Sequence, residues 1–217
     1  MTTTTLAIGE AAPAFELPDT EGDLHSLGGD GATQDAAATV VVFTCNHCPY
    51  ALAWHDRLLA VARDYAGRGV RMLAINPNDA ERYPRDSLDA MRDRVAREYG
   101  ERGVRFHAVN SNDAERYPRD SFEAMRERVR ADGGWPVPYL RDEDQSVARA
   151  YEAKTTPDVF VVAPDGAIAY RGAPDADHGD PSLDAAWLRA ALDDVLAGRP
   201  VDRAETTPVG CSVKWRS

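Results

Sequence analysis

Apolar residues recur along this chain with two periods, and the switches between them mark out strands and helices. The unbroken apolar run over 40–43 predicts a strand over 39–44 buried on both faces, as in a parallel sheet. From about residue 49 the period changes. Ala51, Trp54, Leu58, Val61 and Tyr65 fall on one stripe of a helix that Pro49 can open and that Gly67 and Gly69 stop. A second apolar strand is predicted over 70–75. Upstream, 15–17 and 24–27 flank the turn-like segment 19–23 and predict a small hairpin in an otherwise irregular N-terminal arm. The glycine-rich segment 28–31 marks a loop. Downstream, the pattern predicts a short strand over 137–140, a short helix over 145–151 and a strand over 159–162. A hairpin turn at Asp165-Gly166 leads into a strand over 168–171. The last helix is expected to be capped by Ser182, to bury Leu188, Leu192 and Val195, and to stop at Gly198.

Between these elements the chain repeats itself. The ten residues from Asn78 to Ser87 recur without change from Asn112 to Ser121, and the similarity extends over 69–95 and 103–129. Each copy reads as a strand, a proline-containing loop and a helix, with Asp86 and Asp120 as candidate N-caps and Asp120 with Glu123 as a capping box. The two helices carry matching stripes, Leu88, Met91, Val95 and Phe122, Met125, Val129. Two copies are too few for a solenoid, so this is a tandem duplication of one βα unit. Only one copy can fill a given slot in a sheet. Copy one has the more apolar strand, whereas copy two places Arg105 and His107 on one strand face. Copy one is therefore expected to be central and copy two peripheral or displaced. The order βαβα(βα)βαββα predicts an α/β fold, helices on both faces of a mixed sheet, in a single domain over 1–217.

Composition narrows the partners. The chain has 217 residues, 43% of them apolar, with a formal net charge of −11. That is enough for a sizeable core, and the negative balance disfavours nucleic acid or an anionic membrane surface. Of the 25 basic residues only Lys154 and Lys214 are lysines, a bias expected of a salt-adapted or high-GC organism. The N-terminus lacks a basic segment followed by an apolar core of secretory length, so a cytoplasmic location is expected. Cysteines in a reducing compartment are poor structural staples, and a Cys-x-x-Cys there points to redox or metal chemistry.

That motif is Cys45-Asn46-His47-Cys48, placed where the strand over 39–44 gives way to the helix. A thiolate is the reactive form, and the converging amides of a helix start favour it. His47, between the two sulfurs in sequence, can add a hydrogen bond or positive charge and make the pair more oxidising. Cys45, just before the helix, is expected to be the more exposed and to attack, with Cys48 resolving. Two alternatives stand beside this: a pair of inert buried cysteines, and a metal site drawn from Cys45, His47, Cys48 and Cys211. A second Cys-x-x-Cys or a histidine pair at ligand spacing is missing, which counts against structural zinc. Cys211 is either a third redox thiol or a packed small side chain. His25, His107 and His178 read as surface or loop groups, His55 as a boundary residue, and the acidic segment 175–180 as a solvated loop.

Taken together, Thr44 to Tyr50, Asn110 to Asp113, Thr156-Pro157-Asp158 and Gly210 to Trp215 resemble the peroxiredoxin-like branch of the thioredoxin superfamily, the redoxins of alkyl hydroperoxide reductase/thiol-specific antioxidant type. The resemblance runs from about residue 8 to 216, outside the duplicated unit. It implies a thioredoxin-like three-layer α/β/α sandwich, catalytic Cys45 and Cys48, and supporting roles for Asn46, His47, Thr156 and Pro157. It also implies a cis peptide at Thr156-Pro157 facing the cysteines, in a loop that lines the substrate groove and pairs with an extended peptide. The implied activity is a thiol–disulfide oxidoreductase, with no cofactor and no resident metal. Its substrate would be a disulfide-bearing protein or a small thiol or peroxide, and a reductase or thiol would donate electrons. A peroxiredoxin-like peroxidase and a copper- or zinc-carrying module are the alternatives. Two departures matter. Aligning Cys48-Pro49 with the peroxidase motif puts Cys45 where those enzymes use a hydroxyl residue. Thr39 replaces the buried acid that thioredoxins carry on this strand.

Overall fold

The structure, a computed structural model, describes residues 6–18, 24–28, 36–45, 48–78, 83, 86, 107–109, 139–142 and 144–215. β3 (Ala38–Phe43) is the axis of a six-stranded mixed sheet and is buried at every position. It pairs in parallel with β4 (Val70–Asn76) and antiparallel with β8 (Asp158–Val162), which in turn pairs antiparallel with β9 (Ile168–Gly172). β-Branched side chains fit such a doubly covered strand, and alternation sends them to opposite faces. Val40 and Val42 join Val159, Val161 and Met72 beneath α1 (Pro49–Ala66) and α3 (Ala186–Leu196). Val41 and Phe43 join Leu73, Ile75 and Phe160 on the other face. That second face is covered by the hairpin β1 (Phe15–Pro18) and β2 (Leu24–Leu27), by α2 (Ser146–Ala150) and by Tyr151. There the Phe43, Phe160 and Tyr151 rings pack with centroids 5.2–5.8 Å apart.

The predicted stripe of α1 is buried throughout, from Ala51 to Tyr65, and its C-cap is Gly67. The last helix starts later than expected. Its N-cap is Ala185, in a left-handed conformation, while the Ser182 hydroxyl bonds Asp180 instead. Gly198, at positive φ, follows the helix as predicted.

β4 lies beside β3. The copy-two strand β5 (His107–Val109) sits at the sheet margin, pairing with the middle of β4 and with β6 (Tyr139–Arg141), which pairs with the end of β4. Copy one thus takes the inner position. The predicted repeat helices, with Asp120 and the Asn110 to Asp113 segment, lie outside the described residues. Asp86 is described, and it is buried, accepting a hydrogen bond from Asn78 Nδ2 at 2.9 Å.

The C-terminal segment first guards a sheet edge. Arg171 N–H donates to the Ala204 carbonyl and Thr206 N–H to the Arg171 carbonyl, so chain covers β9 where its edge would be open. The two backbones touch at Gly172, whose φ is +133°, and any Cβ there would collide with Thr206. The segment then continues as β10 (Cys211–Ser212), antiparallel to β7 (Thr155–Thr156) in a separate two-stranded sheet.

The acidic segment is not simply solvated. Asp175 is buried and receives Trp54 Nε1 at 2.7 Å, Arg57 Nη1 at 2.8 and 3.0 Å, and Ala185 N at 3.1 Å. Arg57 also donates to the carbonyls of Asp177, His178 and Asp180, so a single buried cation gathers this loop onto α1. Removing the carboxylate leaves an uncompensated buried charge. Asp175→Ala is expected to lower unfolding free energy by about 3–5 kcal/mol in urea denaturation. Breaking the exposed Arg68–Asp193 pair should leave the midpoint unchanged.

Candidate active site

Three chain segments meet at the C-terminal end of β3. Cys45 follows the strand, Cys48 is the N-cap of α1, and Cys211 opens β10. The piece that joins them is Thr156, at the end of β7 and before a cis peptide bond to Pro157, as the resemblance implied. Cys45 Sγ lies 3.2 Å from Thr156 Oγ1, and Cys48 Sγ lies 3.1 Å from the Thr156 carbonyl oxygen. Cys211 is aligned with Thr156 in the β7–β10 register, and its N–H donates to Cys48 Sγ at 3.3 Å. Ala51 and Tyr50 of α1 pack around the sulfurs.

The expectation that Cys45 is the more exposed thiol is not met. Cys45 and Cys48 both have 0% exposure, while Cys211 is partly exposed. The two buried sulfurs differ in their surroundings. The Cys48 thiol is held well below its ordinary range, first by the hydrogen bond from Cys45 and, against the effect of burial, by further donation from the Cys211 thiol and from the Ala51 and Cys211 N–H groups. The Ala51 amide favours the charge without closing a full cap hydrogen bond. The Thr156 carbonyl can only accept, so the 3.1 Å contact with Cys48 Sγ is one that the protonated thiol donates. Cys45 moves the opposite way: sharing its proton with Cys48, burial and the nearby Asp86 charge all keep it protonated. Of the two sulfurs, Cys48 is the one whose surroundings favour negative charge, and Cys45 the one held protonated. Asn46 and His47 lie outside the described residues, so the expected His47 contribution has no geometry attached to it. Cys211 is pushed up to about 11, by burial first and then by its hydrogen bond to Cys48 and that residue's charge.

Some neighbours were not evident in the sequence. His178, expected as a loop group, stacks 4.3 Å from the Tyr50 ring and 5.6 Å from Trp54. Asp86, expected as a helix cap, instead bears on Cys45. Asp158, next to Pro157, is a fully buried acid. Its Oδ2 accepts Lys154 N–H at 3.0 Å, and its Oδ1 has no hydrogen-bond partner. Its place in Thr-Pro-Asp was visible, but a buried carboxylate is not signalled by an aspartate that opens a strand. Among the described residues no group of three or more His, Cys, Asp or Glu is arranged to hold a metal ion. No described helix is long and apolar enough to cross a membrane.

Paired cysteines at a strand–helix junction, facing a cis-proline loop across a mixed sheet, define a thioredoxin-like thiol protein. The model of the AhpC/TSA family matches residues 8–86 and 82–171, and the chain belongs to that family. The split between the two matches falls inside the duplicated region. The structure is similar to that of a hypothetical protein from Sinorhizobium meliloti 1021, with 32% identity over 99% of this chain and 97% of that one and a TM-score of 0.67. An uncharacterized conserved protein from Geobacillus kaustophilus shares 34% identity over 98% of this chain and 94% of its own, also at a TM-score of 0.67. A proposed thiol:disulfide interchange protein from Chlorobium tepidum shares the fold at 18% identity, covering 88% of this chain and 99% of that one, with a TM-score of 0.55. No match was found among curated proteins.

Burial raises the Asp158 carboxyl from 3.8 to about 7, against the pull of the Lys154 amide and Arg171. A carboxyl with a raised folded-state pKa contributes stability that is full below the unfolded value and lost as pH rises through the folded one. Unfolding free energy should fall between pH 4 and 7, by an amount on the order of a few kcal/mol, and Asp158→Asn should flatten that slope. Guanidinium melts across this range check it; an equally steep decline in the variant contradicts it.

Proposed function

We propose that this protein is a thiol–disulfide oxidoreductase whose working couple is the Cys45–Cys48 dithiol and disulfide. The observation that carries this reading is the asymmetric pair itself, a buried thiol donating to a sulfur whose negative charge several donors favour, both resting on Thr156. A packed structural cysteine needs no such donors. In this reading Cys48 is the nucleophile of the reduced form and Cys45 resolves, the reverse of the order expected from exposure. The Cys48 thiolate attacks a disulfide sulfur and expels one thiolate. Cys45 then attacks Cys48, its proton leaving with the second thiol. The partners are a thiol or disulfide substrate and an electron-donating thiol or reductase, in a reducing compartment such as the cytoplasm. No cofactor is required.

Peroxide reduction at Cys48 is the second reading, favoured by one observation. The Cys45 thiol donates to Cys48 from the position where peroxiredoxins present a hydroxyl. In that case the Cys48 thiolate attacks one peroxide oxygen and expels hydroxide, and the resulting sulfenic acid condenses with the Cys45 thiol, releasing water.

Reduced protein treated with a small disulfide should lose two thiols and yield a Cys45–Cys48 disulfide on peptide mapping. Cys48→Ser should slow turnover by roughly a hundredfold or more, and Cys45→Ser should stop the reaction after Cys48 has been consumed. Wild-type turnover in Cys48→Ser contradicts the reading. Faster consumption of hydrogen peroxide than of any disulfide, dependent on Cys48, selects the peroxidase.

A further inference from the structure

The Cys45–Cys48 couple is sealed from solvent, so electrons need a way in. The tail over 210–215 lies across the site and is built into it. Gly210 runs so close to Thr156 that a Cβ would collide with the Thr156 carbonyl. Val213 is buried in the core of the hairpin-covered face, and its N–H donates to the Lys154 carbonyl at 3.2 Å. The Lys214 N–H donates to Asn78 Oδ1 at 3.0 Å, and its carbonyl accepts from Gln145 Nε2 at 3.0 Å. The Trp215 ring is covered by the Arg149 guanidinium, 4.6 Å from its centroid. A strand held at this many points is part of the site, not a passing cover.

β10 uses the same backbone edge of Thr155–Thr156 that an extended client would need. It also sets a cysteine opposite Thr156, where the reacting residue of such a client would stand, with its amide on Cys48 Sγ. Of the sulfurs gathered here, Cys211 is the one in contact with solvent. We propose that Cys211 is a third catalytic residue, the exchange thiol through which small disulfides and thiols reach the buried couple, and that the tail strand excludes extended polypeptide clients from the groove. This inference rests on the redox couple proposed above and adds its route and substrate class.

The steps balance. Cys211 attacks one sulfur of a small disulfide as its proton passes to solvent water. One thiolate leaves and takes up that proton. The Cys48 thiolate then attacks Cys211 Sγ, forming a Cys48–Cys211 disulfide, and the second small thiolate leaves and takes a proton from water. Cys45 attacks Cys48 Sγ, its proton goes to the departing Cys211 thiolate, and the Cys45–Cys48 disulfide remains. The small disulfide gains two electrons and the couple loses two.

Acid-quenched peptide mapping after mixing with bis(2-hydroxyethyl) disulfide tests it. Cys211→Ser and Cys211→Ala, with wild-type circular dichroism, should form the Cys45–Cys48 disulfide about tenfold or more slowly than wild type. Cys45→Ser should accumulate a Cys48–Cys211 disulfide. Insulin should be reduced at least about tenfold more slowly than the small disulfide. The relay is overturned if both Cys211 variants match the wild-type rate, or if Cys45→Ser holds the reagent on Cys48 with Cys211 free. The exclusion of polypeptide clients is overturned if insulin reacts as fast as the small disulfide. Should the Cys211 variants lose their native dichroism, the Cys45→Ser mapping decides alone. Failure of the wild-type chain to form any Cys45–Cys48 disulfide overturns the underlying couple instead, an outcome distinct from the rest.

Discussion

Thr156 is the contact on which the site depends. Its hydroxyl meets Cys45, its carbonyl meets Cys48, and its backbone edge holds the tail that delivers Cys211. Sequence spacing brings Cys45 near Cys48, but it does not bring Cys211 near either. Cys45 arrives at the end of a buried strand, Cys48 at a helix start, and Cys211 from a segment more than a hundred and fifty residues away. One residue before a cis proline gives each a fixed neighbour. The site is thus positioned by strand ends and a helix start, which hold side chains more precisely than loops do.

Burial and hydrogen bonding pull the cysteines in opposite directions. Burial alone would raise every thiol pKa and leave the cluster inert. At Cys48 the donors exceed that penalty, because they come from two thiols and two backbone amides at once. At Cys45 the Thr156 hydroxyl and the Cys48 N–H favour the charge but do not offset burial and the proton shared with Cys48. Its proton is the one Cys48 uses, and the buried Asp86 charge adds to the cost of losing it. A protein that keeps its thiolate dry avoids indiscriminate oxidation, and it must then supply a route for the intended reactant. The anchored tail meets both requirements.

The sheet order and the helices that cover it were legible because their determinants are local: an unbroken apolar run over 40–43, the stripe from Ala51 to Tyr65, and turns at Gly67 and Asp165-Gly166. The inner place of copy one also followed from composition, its strand being apolar where copy two carries Arg105 and His107. What escaped the sequence was long-range. Arg57 sits beside an apolar stripe and looks like a solvated position, yet its partner is Asp175 in a distant loop. Ser182 resembles a cap, but Asp180 claims its hydroxyl and the helix begins at Ala186. The identity of the cysteines was plain. Their relative exposure was not, because the tail that covers Cys48 is set by a two-residue strand pairing with no periodicity to announce it.

The central claim is that Cys48, not Cys45, carries the negative charge of the reduced protein. A pH titration of thiolate ultraviolet absorbance in the reduced chain, compared with Cys48→Ala and Cys45→Ala, tests it most directly. The account predicts a thiolate already present in weakly acidic solution. That signal should vanish in Cys48→Ala and appear only at higher pH in Cys45→Ala, where Cys48 has lost its strongest donor. A low-pH thiolate that survives Cys48→Ala and is lost in Cys45→Ala would contradict it.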